Sequence, residues 1–218
     1  MDIVLYMGFS ILEVCAMFYM IFRIFKIDIM VKEFIFASTI MAFISYVLRA
    51  EYQLPYVDVM IQASLMLSFM WMLFRIHIFY ATILTGMAYQ IYMLIQTMYY
   101  FLLVLLGGLN EGVPLISDIS TYLMQTLSAL TAFLIGGYIH RKRLGFIFVP
   151  DKPRGKLQLR RRDIILFALN LPALGILSVA LYFVTHYSTF FYVFPIGYAI
   201  ILSAYLYISY KKDMEDYG

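Results

Sequence analysis

The chain has 218 residues, of which 64% are apolar and 13% charged, with a mean hydropathy of +0.86 and a formal charge of +3. A soluble domain is typically under half apolar with about a quarter of its residues charged, and surface-to-volume scaling would leave too much of this apolar surface in water. Composition therefore excludes a water-soluble fold and predicts an all-α, polytopic transmembrane helix bundle, a single domain with no room for a separate enzymatic one.

About twenty apolar residues cross a hydrocarbon core of roughly 30 Å. The first candidate runs from Ile3 to Phe22 and is interrupted only by Glu13. Met1-Asp2 offers no basic n-region, and Arg23 and Lys26 follow the apolar run. That order suits an uncleaved anchor with its N-terminus outside. The single cysteine, Cys15, lies within this run, where it allows no internal disulfide and is expected to pack.

A second segment, Phe34 to Leu48, is short at about 22 Å, and Lys32 and Arg49 could extend its reach by snorkelling. The third runs from Tyr56 to Phe74, and the fourth from Ile76 to Leu106, longer than a span requires. The fifth is expected over Pro114–Ile139, the sixth over Ile164–Thr185 and the seventh over Thr189–Tyr210. Seven spans result, or five or six if segments two and three form a re-entrant hairpin around Arg49–Pro55.

All Lys and Arg residues except Arg49 then fall on one side. Basic residues in short connections mark the cytoplasmic face, so the expected topology is N-out and C-in. The long connection His140–Asp163 holds most of them, with Arg141, Lys142 and Arg143 at one end and Arg160, Arg161 and Arg162 at the other. A small hairpin turning at Pro150–Gly155 is expected between. Contact with anionic headgroups, worth about 1 kcal/mol per basic residue near the surface, explains this charge. Docking of a partner is the sharper reading, and nucleic acid is not an expected partner.

Glu13 lies near the midplane, where an ionisable group is costly unless neutral, paired or hydrated. Gln62, Gln90, Gln96, Gln125 and Asn170 are its candidate partners within the bundle. The group reads either as a switchable polar contact or as a hydrogen bond that locks helix packing. Pro172, two residues after Asn170, and Pro195 each read as a hinge or a static kink. Tyr89, Tyr92, Tyr99 and Tyr100 either line an outward pocket or pack. Glu51, Asp58, Glu111 and Asp118 are candidate ligand contacts on the outer connections Leu48–Asp58 and Gly108–Asp118, and Thr185–Thr189 is the third outer surface.

The histidines form no cluster in this topology, and no zinc-protease helix, nucleophile elbow or phosphate-binding glycine loop occurs. No metal, cofactor or catalytic residue is expected.

Several local features resemble the membrane sensor region of accessory-gene-regulator-type (GHKL-class) peptide-sensing histidine kinases. They are Phe22-Arg23-Ile24-Phe25-Lys26 after the first segment, the short second and overlong fourth segments, and Gly137-Tyr138-Ile139-His140-Arg141-Lys142-Arg143 after the fifth. Leu171-Pro172-Ala173-Leu174-Gly175-Ile176-Leu177-Ser178 and Ala204-Tyr205-Leu206-Tyr207-Ile208 complete the series. The resemblance implies a ligand-sensing or partner-binding module of a bacterial plasma membrane, with dimerisation by analogy and a separate kinase or signalling partner. These residues include no ATP-binding glycines and no phospho-accepting histidine, so kinase activity is not expected of them. The expected function is a non-enzymatic receptor or regulatory module for an extracellular peptide or amphipathic ligand; the alternative is a solute-binding subunit of a transport system.

Overall fold

The computed structural model describes residues 3–106, 119–147, 149, 161–170 and 193–217. Its elements are α1 (Ile3–Ile24), α2 (Val31–Tyr46), α3 (Pro55–Met72), α4 (Ile78–Leu105), α5 (Ile119–Arg141), α6 (Arg161–Ala168) and α7 (Val193–Tyr217). No strand occurs among the described residues. The expected hairpin at Pro150–Gly155, the outer connections after α4, and Thr185–Thr189 lie outside them.

Among the described residues four helices are long and apolar enough to cross a membrane: Ile3–Ile24, Val31–Glu51, Ile78–Leu105 and Thr121–Arg141. Large apolar side chains stand exposed along the bundle, among them Val4, Phe36, Phe43, Trp71, Met98 and Leu134. In water each would cost about 1.5–3 kcal/mol relative to burial; against lipid tails the cost vanishes. The second segment is longer than sequence spacing suggests, because α2 begins at Val31 and continues through a π-helical turn, Val47–Glu51. The turn widens the backbone, with the Tyr52 amide donating to the Val47 carbonyl five residues back. α7 carries the charged C-terminal stretch as helix to Tyr217.

α4 is the central helix. Of its most apolar stretch 61% is buried, against 28–39% for the other three candidate spans. α1 packs along α5 and α2, α4 packs on α3, α5 and α7, and α6 lies against α7 and α4. Phe18 and Phe22 of α1 meet Phe34 of α2 and Phe74, just past α3, with centroids 4.9–5.6 Å apart between elements. Aromatic pairs of this kind add about 0.5–1.5 kcal/mol beyond their buried area.

This packing collects the basic connections at one end. The Phe146 amide donates to the Ile24 carbonyl at 2.7 Å, and the Ile147 amide to Asp213 Oδ1 of α7 at 2.8 Å. Arg162 donates to the Lys211 carbonyl. The ends of α1, α3, α5 and α7 and the start of α6 therefore share one face. Arg49 lies at the other end, beside the N-terminal half of α1. Lys26, Arg75 and Arg143, each ending a helix, hold positive φ of 50°, 56° and 55°.

Candidate functional site

Polar side chains converge inside the bundle in four groups. At the Arg49 end, Asp58 is fully buried in the first turn of α3, where the amide ends of the helix favour a carboxylate. Its Oδ2 accepts from Arg49 Nε at 2.5 Å and from Ser45 Oγ at 2.9 Å; its Oδ1 accepts from Gln62 Nε2 at 3.2 Å. Tyr6 of α1 joins through Ser45 at 2.7 Å. Asp58 was expected to face an outer ligand. It is instead the acceptor that ties α2 to α3, because it lies one turn into a helix rather than on the connection before it. Gln62 belongs here too, donating to the Met41 carbonyl at 2.8 Å, and not to Glu13.

Glu13 occupies the middle of α1. Gln96 of α4 donates to its Oε1 at 2.6 Å, and Gln125 of α5 to its Oε2 at 3.1 Å. Tyr92 lies within reach of the same carboxyl. One carboxyl thus takes one amide from each of two other helices. Between α4 and α5 the Tyr99 hydroxyl also meets Thr131 Oγ1 at 2.7 Å. Tyr92 and Tyr99 are bundle contacts, as the packing reading holds.

The third group joins α4, α6 and α7. Asn170 donates to the Phe167 and Leu166 carbonyls at 3.2 and 3.4 Å, while its side-chain oxygen presses against Gly86. Gln90 and Tyr205 lie beside it. These two predicted polar residues, Gln90 and Asn170, are therefore gathered around Tyr205 rather than Glu13. Pro172 lies outside the described residues. Pro195 lies within α7, two residues after Val193, where the described residues resume.

The fourth group lies at the basic end. Lys212 of α7 is buried, pairs with buried Asp163 of α6, and sits 4.9 Å from the centre of the Tyr80 ring of α4. Sequence reasoning singles out neither Lys212 nor Asp163. Their 49-residue separation leaves no local signal, and only the continuation of α7 brings them together. Arg141, Lys142, Arg143 and Arg161 are exposed at this end, as headgroup contact requires. Arg160, Glu111 and Asp118 lie outside the described residues. Glu51 is exposed at the end of the π-helical turn.

Cys15 donates to Ser38 Oγ of α2 at 3.2 Å. His77 caps α4 by accepting from the Phe79 amide at 3.2 Å. Among the described residues no three His, Cys, Asp or Glu side chains converge to hold a metal ion. α4 contributes Gln96, then Gln90 and Gly86, then Tyr80, so one helix touches three of the four groups in succession.

Compared with protein-family models, with curated proteins and with solved structures, the chain matches none.

Proposed function

We propose that this chain is a non-enzymatic membrane receptor or regulatory module of a bacterial plasma membrane, with the Arg49 end outside and the basic end in the cytoplasm. Its ligand is an extracellular peptide or amphipathic molecule that contacts the outer end, where Glu51 is exposed. Its output passes from the cytoplasmic end to a separate kinase or other signalling partner, with a homodimer as the working form. The likeness of its segment order and basic clusters to peptide-sensing kinase input regions points the same way.

The observation that supports this reading best is the Glu13 contact. A carboxyl shared between amides of α4 and α5 fixes how three helices meet, and polar contacts in a bundle specify one arrangement among several apolar ones of similar energy. α4 carries that contact at one level and faces Lys212 with Tyr80 at the basic end. A ligand that shifted α4 relative to α1 would thus act on the end of α7.

Binding of secreted peptides to the detergent-purified protein tests the proposal. A peptide should bind wild type and bind Glu51→Gln more weakly. Absence of binding across the secreted peptides, together with Glu13-dependent solute uptake into vesicles, would favour a transport subunit instead.

A further inference from the structure

We propose that a single anionic phospholipid occupies the groove on α1 between α2 and α5, its phosphate on Arg23 and one acyl chain running toward Cys15. The inference is independent of the receptor reading. α2 and α5 both pack on α1 without a substantial contact to each other. Between them lies a groove of about 500 Å³, lined by Cys15, Tyr19 and Arg23 of α1, Phe34 and Ile35 of α2, and Phe133 of α5, with Ile29 and Val31 at its mouth.

The groove has the polarity of a phospholipid. Cys15, Tyr19 and Arg23 are spaced four residues apart and so follow one face of α1, about 12 Å from first to last at 1.5 Å per residue. Its walls are apolar, and its one charged lining residue is Arg23, at the basic end. That end belongs with the interface at which anionic headgroups sit.

The arginine is also held in place. Gly136 of α5 leaves room for Tyr19: a β-carbon there would come within 2.8 Å of the ring. Tyr19 packs against Phe133 at 5.4 Å and carries the Arg23 guanidinium over its face at 5.3 Å. Arg23 Nη1 meets His140 Nδ1 at 3.1 Å. Arginine only donates, so Nδ1 accepts and any ring proton lies on Nε2. Arg23 Nε is enclosed and finds no acceptor among the described residues. The Arg23 guanidinium lines the groove, and a phosphate oxygen is an acceptor whose geometry a guanidinium binds well.

Native mass spectrometry of the full chain, with phosphatidylglycerol and phosphatidylcholine of identical acyl chains, tests the site. Wild type should retain one phosphatidylglycerol at least tenfold more than phosphatidylcholine. Arg23→Gln should abolish the preference, Ile35→Trp should block retention by filling the groove, and Lys32→Gln, outside the lining, should change nothing. Bound phosphatidylglycerol should also slow alkylation of Cys15, the chain's one thiol. Should Arg23→Gln fail to fold, Ile35→Trp and the Cys15 rate decide. Equal retention of both lipids, undiminished retention in Arg23→Gln or in Ile35→Trp, or an unprotected Cys15 would overturn the proposal.

Discussion

Gly86 of α4 and Asn170, at the end of α6, approach so closely that a β-carbon at position 86 would lie 1.6 Å from Asn170 Oδ1. The glycine is required by packing and not by backbone conformation. Gly86→Ala must expel the Asn170 amide, breaking its hydrogen bonds to the Leu166 and Phe167 carbonyls, and should cost about 1–3 kcal/mol. Asn170→Ala vacates the same space, so the double variant should be less destabilised than the sum of the singles. Unfolding in detergent measures this coupling, and strictly additive losses would show that the two positions do not touch.

Glu13 separates a hydrogen-bonding role from a charged one. Glu13→Leu leaves the Gln96 and Gln125 amides without their acceptor, at about 1–3 kcal/mol for each buried group left unpaired. Glu13→Gln keeps a carbonyl for one partner, and either glutamine can turn its amide to satisfy the other. Thermal unfolding should therefore rank wild type and Glu13→Gln well above Glu13→Leu. A Glu13→Gln variant as unstable as Glu13→Leu would mean that the charge itself is required.

At the basic end, Asp163 and Lys212 should behave as a pair. Removing either charge alone breaks a buried ion pair, which costs about 3–5 kcal/mol. Replacing both, as Asp163→Leu with Lys212→Met, takes both charges out of the interior and should restore much of the loss. If Lys212→Met alone is neutral, the lysine is solvated and α7 does not continue as described.

Much of this architecture is legible in the apolar runs, because bilayer thickness fixes how long a span must be. The approximate extents of α1 to α5 follow from it, and so does the gathering of basic connections at one end. Gln96 and Gln125 were identifiable as partners of Glu13 from depth alone. Depth does not give the helix face, however, which is why Gln62 binds Asp58 and why Gln90 and Asn170 lie near Tyr205. Asp58 and Asp163 were not legible as bundle contacts for a related reason. Each sits in the first turn of a helix, where a charged residue in the sequence reads as connection until a partner from another helix buries it.

The claim with most resting on it is that the basic end faces the cytoplasm. In a Cys15→Ser background, single cysteines at Gln53, Arg143 and Met214 can be probed in intact cells with a membrane-impermeant maleimide. The expected result is labelling at position 53 without permeabilisation, and labelling at 143 and 214 only after it. Labelling of 143 and 214 from opposite sides, or of all three positions from the same side, would contradict the bundle and its orientation in the bilayer.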